Sequence, residues 1–281
     1  MESKSNFHNR EWIMERVRKH YETAVAYFGS EKFVVGAFLV GSQNYKLDIE
    51  TSDVDVKVFV LPSLESIIEL GTPESSTWVS EGGEHKDFKD FRLVIKELEK
   101  GSPNMLETLF TDYYIVNPDY SFIIARLRAY RERIANNNQK GIFNAFYGMA
   151  QRFIKLYNEG KSDIKSVVTL LRIRDFIYSY FVLGETYNKS LVPSNLFTLR
   201  TLRTQPVEQE KLKAFVDEAT KDLEEFKSFS EKKAARSNDT LGKVVLRDIL
   251  YDLMYTHLKN EVKDFRFTNF SEVIKNENIP L

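Results

Sequence analysis

The sequence predicts an α/β (α+β) domain, built as a mixed sheet with flanking helices, followed by an all-α helical-bundle domain. Three observations support this fold class. Runs of β-branched and aromatic residues occur before residue 118, helical spacing of apolar residues dominates after it, and the Asn117-Pro118 dipeptide separates the two regions. Because such a change of pattern marks a domain boundary, we place the domains at residues 1–118 and 119–281.

In the first domain, residues 10–28 carry apolar side chains at helical spacing, and the pattern stops at Gly29. This predicts an amphipathic helix. Residues 33–40 are largely β-branched and aromatic and predict a buried strand. After a polar loop at 44–52, the remaining expected elements are strands over 54–61 and 82–89, a helical region over 90–110 broken near 101–103, and a short strand over 113–116.

The second domain is predicted to be helical throughout. The helical pattern recurs over residues 119–135, 139–158, 162–183, 207–229 and 239–259. Connectors with Asn, Gly or Pro lie between these segments and are typical of turns. No heptad pattern is sustained long enough to predict a coiled-coil partner, so the sequence leaves the oligomeric state open.

The composition excludes several kinds of protein. The 281 residues include 40 Lys and Arg against 41 Asp and Glu, for a net charge of -1. This balance argues against a large surface that coats nucleic acid. There is no cysteine, so disulfides and thiolate metal sites are excluded. No apolar run reaches the ~18 residues of a membrane span, and the first residues do not resemble a signal peptide. We therefore expect a cytoplasmic protein with no membrane partner.

The segment with a chemical signature is residues 41–57, GSQNYKLDIETSDVDVK. Gly41 and Ser42 directly follow a predicted strand, where glycine lets the backbone approach a phosphate and serine adds a hydroxyl donor. Because strand side chains alternate between faces, Asp53 and Asp55 point the same way, with Cα atoms about 7 Å apart. Two such carboxylates repel unless a cation lies between them, and hard oxygen ligands suit Mg²⁺ or Mn²⁺. The segment thus combines a phosphate site with a metal site.

An Asp-x-Asp pair alone is much less specific. It also occurs in metal-dependent glycosyltransferases and in phosphatases with an aspartyl nucleophile. The phosphatase pattern fits less well, since it has no Gly-Ser before the acidic pair. A glycosyltransferase would need a nucleotide-sugar site, which a test with UDP-sugars would detect.

A strand, Gly-Ser, a loop of about ten residues and then an acidic pair resembles the DNA polymerase β-type nucleotidyltransferase superfamily. The form GSQNYxLxxxxSDxDxK is similar to a branch of predicted nucleotidyltransferases of phages and bacteria. Residues 84–92, EHKDFKDFR, resemble that branch's third acidic strand, and residues 101–110, GSPNMLETLF, its following helix. One departure is Lys46, where many relatives have glycine.

The resemblance implies roles for several residues. Asp53 and Asp55 would hold Mg²⁺ (or Mn²⁺) and the NTP triphosphate, and Gly41 and Ser42 would bind its terminal phosphates. A third carboxylate would activate the acceptor hydroxyl, either as a further metal ligand or as general base; Asp87 is the first choice and Asp90 the alternative. Further candidate phosphate contacts, by shared strand or helix face, are Lys57, Lys89, Lys165 and Arg172. Lys57 could equally be a structural counter-charge, and the pair on the helix could equally be a solvated basic face.

The implied reaction is transfer of an NMP from an NTP to an acceptor hydroxyl, with release of pyrophosphate. The acceptor stays open among RNA ends such as tRNA, proteins and small molecules, and no residue selects among the four NTPs. A different class of function is a non-catalytic nucleotide-binding or partner-binding module of a toxin–antitoxin or phage-defence system. It predicts NTP binding without turnover.

Overall fold

A five-stranded mixed sheet organises the N-terminal part of the chain in the computed structural model, which describes residues 7–80, 82–236 and 240–277. Its strands are β1 (Val34–Val40), β2 (Asp55–Val60), β3 (Ser75–Val79), β4 (His85–Asp90) and β5 (Tyr114–Val116). They lie in the order β3-β4-β2-β1-β5. β2 and β4 pair in parallel, whereas the other neighbours are antiparallel. The C-terminal end of β1 therefore lies beside the N-terminal ends of β2 and β4, at one edge of the sheet.

Helices pack on both faces of the sheet, and those after β5 form a helical region. They are α1 (Arg10–Phe28), α2 (Leu64–Ile68), α3 (Phe91–Glu99), α4 (Pro103–Phe110), α5 (Ser121–Ala129), α6 (Arg131–Asn137), α7 (Gln139–Asn158), α8 (Ile164–Ile177), α9 (Tyr187–Leu191), α10 (Leu196–Thr204), α11 (Gln209–Arg236) and α12 (Thr240–Glu277). A π-helical segment, Tyr178–Val182, continues α8. A helical region thus follows the mixed sheet, as the sequence predicts.

Alternation along β2 separates the two faces of the sheet. Val56 and Val58 are buried against the apolar side of α1, where Ile13 and Val17 are also fully buried. Asp55 and Lys57 alternate with these valines and are only half-buried, so they belong to the opposite face. The polar residues of β2 therefore lie on the face away from α1.

The core on that second face runs without a break from the sheet into the helical region. Phe38 and Phe59 of the sheet share one cluster of buried side chains with Leu98, Phe146 and Leu253. This packing holds the helical region against the polar face of the sheet. The division into domains at residue 118 stays a prediction, because a shared core does not test where either part would fold alone.

The expected helix over 10–28 and the mixed sheet are confirmed. The segment 119–135 is instead two helices, α5 and α6, which meet at Tyr130. The sequence patterns did not predict α2, β3, α9 or α10. β3 lies at the sheet edge with few buried residues, so its strand conformation depends on pairing with β4 more than on its own hydrophobic pattern. Within the described residues, no helix has the length and apolar character to cross a bilayer.

Candidate active site

The Gly-Ser loop leaves the end of β1 in a conformation that favours glycine. Gly41 has a φ of 99°, a region that residues with a Cβ rarely adopt. The next residues form a tight turn, in which Asn44 N donates to Gly41 O at 3.1 Å and Tyr45 N donates to Ser42 O at 3.2 Å. The Ser42 amide and hydroxyl have no hydrogen-bond partner in the described part of the chain. Both groups are therefore available to a ligand.

A buried carboxylate, Glu107 of α4, holds this loop in place. It accepts hydrogen bonds from Gly41 N at 2.6 Å, from Asn44 Nδ2 at 2.7 Å and from the Tyr45 hydroxyl. Burial raises the pKa of Glu107. The Gly41 amide thus points inward to Glu107, so the exposed phosphate donors of this loop are those of Ser42.

Glu107 is not among the residues predicted from the sequence, although a signal was present. Every residue of α4 except Asn104 is buried, so Glu107 is a carboxylate on a helix with almost no solvent-facing side. A charged residue in such a position needs specific partners. An unexplained acidic residue inside an apolar helical run could therefore have been assigned to the site from the sequence.

Asp53 and Asp55 lie beside the Gly-Ser loop, with Asp55 as the first residue of β2 and Asp53 in the loop just before it. Asp55 pairs with Val40 across the ladder, and its Oδ1 accepts from His85 N at 2.8 Å. The Gln43 amide nitrogen donates to Asp53 O at 2.6 Å, which holds the backbone two residues before Asp55. Burial raises the pKa of Asp55, and the negative charge of Asp53 adds to this effect. The pair therefore has the electrostatic property expected of a cation site.

The donor set suits a divalent cation with few protein ligands. In the described ranges, no group of three or more His, Cys, Asp or Glu residues is arranged to hold a metal. Asp53 and Asp55 would supply two hard oxygen ligands, and Mg²⁺ commonly binds through one or two carboxylates plus phosphate oxygens and water. Gln43 lines the same cleft, and its Oε1 is buried without a partner within the described residues. That oxygen could accept a hydrogen bond from a ligand.

Asp87 is on the same face of the sheet as Asp55, but both oxygens of its carboxylate already have hydrogen-bond partners. Lys57 Nζ lies 2.7 Å from Asp87 Oδ2, and the Thr77 hydroxyl donates to Oδ1 at 2.6 Å. Although burial raises the pKa of Asp87, the hydrogen bonds from Lys57 and Thr77 outweigh it and lower the pKa overall. Asp87 is therefore an ionised carboxylate whose nearest cation is Lys57.

Two other predicted residues near β4 lie away from the acidic pair. Lys89 Nζ donates to Ser75 Oγ at 2.6 Å on the exposed part of the β3–β4 hairpin. Asp90 is buried and caps α3, where it accepts from Arg92 N at 2.8 Å and from the Arg92 guanidinium. Of the two alternatives for the third carboxylate, Asp87 shares the face of Asp55, whereas Asp90 is used in the helix cap.

A cleft of about 220 Å³, which we call the Ser42 cleft, brings the acidic pair together with residues of the helical region. The charged residues that line it are Asp53, Asp55, Lys165, Arg172 and Arg203. Lys165 and Arg172 come from one face of α8, as their spacing of seven suggested. Three cations thus face two carboxylates, which is an arrangement suited to a polyphosphate with a bound cation.

Arg203 is a site residue that was not predicted, because the sequence patterns did not reveal α10. Its guanidinium donates to Leu47 O, and the neighbouring Arg200 Nε donates to Lys46 O at 2.8 Å. Burial lowers the pKa of Arg203, which still leaves a guanidinium charged at neutral pH. α10 therefore fixes the end of the Gly-Ser loop and adds a cation to the cleft.

Lys46 has a φ of 59°. This left-handed conformation costs a residue with a Cβ about 1–2 kcal/mol, whereas glycine adopts it readily. A glycine would therefore suit the backbone at this position. The hydrogen bond from Arg200 to Lys46 O helps to hold the same conformation here.

A second cleft, of about 280 Å³, adjoins the first. This Asp87 cleft is lined by Asp55, Lys57, His85, Asp87 and Asn104, among others. Val40, Gly41, Tyr45 and Asp55 line both clefts. Asp55 therefore lies at the junction between them.

A buried ion-pair cluster supports the backbone between the two aspartates. Glu84 contacts Arg16 Nε at 2.5 Å and His20 Nε2 at 3.1 Å, and it accepts from Val54 N at 3.3 Å. Burial opposes its ionisation, but the hydrogen bonds from His20 and Arg16 bring the pKa of Glu84 down to about 2. This cluster positions Val54, and hence the residues on either side of it.

We expect Glu84→Gln to destabilise the protein by about 2–3 kcal/mol at pH 7, since one pKa unit corresponds to ~1.4 kcal/mol. The folded pKa is about 2 against 4.5 for the free group. The stabilisation by ionised Glu84 is therefore present above pH 4.5 and is lost as the pH falls toward 2. Urea unfolding at pH 7, 5 and 3 measures this, and Glu97→Gln, at a partly exposed position of α3, is the control. If the difference in free energy of unfolding between the wild type and Glu84→Gln stayed constant down to pH 3, ionised Glu84 would not be the source of the stabilisation.

Comparisons with known proteins add a similarity in structure but no match in sequence. No protein-family model matches the chain, and no curated protein matches its sequence. Among solved structures, a nucleotidyltransferase-like protein from Exiguobacterium sibiricum is similar, with 11% identity, 77% of each chain covered and a TM-score of 0.33. At that TM-score we draw no functional conclusion from the similarity, and the residues of the two clefts carry the interpretation.

Proposed function

We propose that this protein is a metal-dependent nucleotidyltransferase that transfers an NMP from an NTP to an acceptor hydroxyl and releases pyrophosphate. The observation that carries the proposal is the Ser42 cleft. It combines the free Ser42 donors, the carboxylates of Asp53 and Asp55, and three cations from α8 and α10. Phosphoryl transfer depends mainly on positioning and charge stabilisation, and these are the groups that such a reaction requires.

Each group has a distinct part in binding the donor. Lys165, Arg172 and Arg203 would bind the triphosphate, and the Ser42 amide and hydroxyl would donate to its terminal phosphates. Mg²⁺ (or Mn²⁺) at Asp53 and Asp55 would supply neutralisation of phosphate charge when bound. Glu107 would keep the Gly-Ser loop in the binding conformation, because its buried carboxylate accepts hydrogen bonds from the Gly41 amide and the Tyr45 hydroxyl.

The direct test is incubation of the purified protein with Mg²⁺ or Mn²⁺ and each α-³²P-labelled NTP in turn. RNA, protein and low-mass fractions of a bacterial extract serve as acceptors. We expect label to move from one NTP to one fraction. A variant with both Asp53→Ala and Asp55→Ala should transfer none. UDP-sugars labelled in the sugar provide the control for glycosyl transfer.

One observation favours the second candidate, a nucleotide-binding module without turnover. Asp87 is bound to Lys57 and Thr77, so no third carboxylate is free beside the acidic pair within the described residues. Such a module would bind NTP in the Ser42 cleft but leave the label on the nucleotide. Tight NTP binding without transfer to any fraction would therefore replace the enzyme proposal by the binding module.

We expect Arg172→Ala to weaken NTP binding at least tenfold, about 1.4 kcal/mol, because it removes a guanidinium that would pair with phosphate oxygens. Its guanidinium lies 3.9 Å from the centre of the Tyr45 ring, so it is well placed above the loop. Titration calorimetry with the Mg²⁺ complex of the preferred NTP measures the affinity. Arg152→Ala, on the exposed side of α7, is the matched control and should leave it unchanged. If the two variants bound NTP with equal affinity, Arg172 would not be part of the phosphate site.

A further inference from the structure

The two clefts lie on different sides of Asp55. The Ser42 cleft extends from Asp55 toward α8, where Lys165 and Arg172 line it. The Asp87 cleft extends from Asp55 toward β4 and the start of α4, where His85 and Asn104 line it. A ligand in one cleft would thus meet a ligand in the other at Asp55.

Nucleotidyl transfer requires this kind of arrangement. The attacking and leaving oxygens are roughly in line across the α-phosphorus. If pyrophosphate leaves among the cations of the Ser42 cleft, the acceptor must approach from the other side. The Asp87 cleft opens on that side and shares the wall formed by Gly41, Tyr45 and Asp55.

The charges of the Asp87 cleft are unlike those of the Ser42 cleft. Its one lysine, Lys57, is paired with Asp87 at 2.7 Å, and no arginine is among the described residues that line it. The carboxylates of Asp55 and Asp87 outnumber that lysine. Phosphodiester chains are bound chiefly through Lys and Arg contacts, which this cleft does not offer. A polyanionic acceptor is therefore disfavoured.

The remaining side chains suit an acceptor with several hydroxyl or amino groups. His85 and Asn104 are exposed and provide donors and acceptors, and the ionised Asp87 retains lone pairs beyond those used by Lys57 and Thr77. The volume of about 280 Å³ is at the small end of ligand pockets. A compound of sugar size matches it better than a polymer end.

We propose that the Asp87 cleft binds the acceptor, and that the acceptor is a small, neutral or cationic polyhydroxyl compound of the sugar or amino-sugar type. The inference rests on the proposed nucleotidyl transfer. The acceptor hydroxyl oxygen bonds to the α-phosphorus, and the bond from that phosphorus to the oxygen bridging the β-phosphate breaks. Pyrophosphate leaves with the bonding electrons, and the hydroxyl proton is released to solvent.

The test uses the full-length protein, the preferred α-³²P-labelled NTP with Mg²⁺, and three fractions of one bacterial extract. These are total RNA, total protein, and compounds below 1 kDa that do not bind an anion exchanger. D-glucosamine and myo-inositol serve as pure probes of the third class. We expect a labelled product, distinct from NMP and NTP, in the low-mass fraction and with none of the macromolecules.

Two exposed substitutions connect the product to the cleft. His85→Ala and Asn104→Ala should each raise the KM for the low-mass acceptor at least tenfold. Asn188→Ala, an exposed asparagine at the start of α9, is the matched control and should have no effect. Because both substituted side chains are exposed, folding is expected to be retained, which a thermal melt checks.

The outcomes separate this inference from the proposed function. Label in RNA or protein would overturn the acceptor class while nucleotidyl transfer stands. Low-mass product that is insensitive to His85→Ala and Asn104→Ala would overturn the assignment of the cleft. NTP binding with no label in any fraction would refute the transfer reaction, and the inference with it.

Discussion

Asp55→Asn is expected to reduce the rate of nucleotidyl transfer at least a thousandfold, about 4 kcal/mol of transition-state stabilisation. The substitution keeps the size of the side chain, and the amide oxygen can still accept the hydrogen bond from His85 N. It removes the negative charge that would bind the cation. Initial rates of pyrophosphate release at saturating NTP measure the loss.

Stability distinguishes this effect from misfolding. Burial and the charge of Asp53 disfavour ionised Asp55, so the neutral side chain should leave the metal-free protein as stable as the wild type or slightly more so. Glu50→Gln, on the exposed part of the same loop, is the control and should retain activity. Should Asp55→Asn keep more than a tenth of the wild-type rate, Asp55 is not the ligand that we assign.

Glu107→Ala is expected to lower the free energy of unfolding by about 3–4 kcal/mol, combining a cavity with unpaired buried donors. Glu107 is 3% exposed. Its loss would leave the Gly41 amide and the Tyr45 hydroxyl without their acceptor. Urea denaturation at neutral pH measures the change. Glu97→Ala, at a partly exposed position of α3, should change the stability by no more than about 0.5 kcal/mol.

A second substitution separates the charge of Glu107 from its shape. Because burial raises its pKa, the neutral Glu107→Gln should cost clearly less than Glu107→Ala. NTP affinity should fall with Glu107→Ala even at temperatures where the variant is folded, since the Gly-Ser loop loses its support. If Glu107→Ala were as stable as Glu97→Ala, the loop would have to be held by other contacts.

Local backbone geometry made part of the site predictable. Alternation along a strand depends only on the pleat, so the sequence alone assigns Asp55 and Lys57 to one face. Helical periodicity likewise assigns Lys165 and Arg172 to one side of a single helix, α8. In both cases the backbone geometry of a few consecutive residues determines which side chains share a face. The conformation of Gly41, directly after a buried strand, is a local feature of the same kind.

The partners of these side chains could not be predicted from the sequence. Lys57 pairs with Asp87 because β2 and β4 are aligned in parallel, 30 positions apart. Arg203 reaches the Gly-Ser loop from 156 positions away, on a short helix, α10, that the sequence patterns did not predict. Many strand pairings and helix positions are compatible with the same local patterns, and burial energy selects among them.

The sequence by itself therefore determined the mixed sheet with its helical region, and the acidic pair beside Gly41 and Ser42. Tertiary structure decided that Glu107 lies beneath the loop, that Asp87 is held by Lys57, and that two clefts meet at Asp55. The physical reason is the distance along the chain over which each effect acts. Backbone geometry acts over a few residues, whereas the charge and shape of a cleft depend on side chains that only packing of the whole chain brings together.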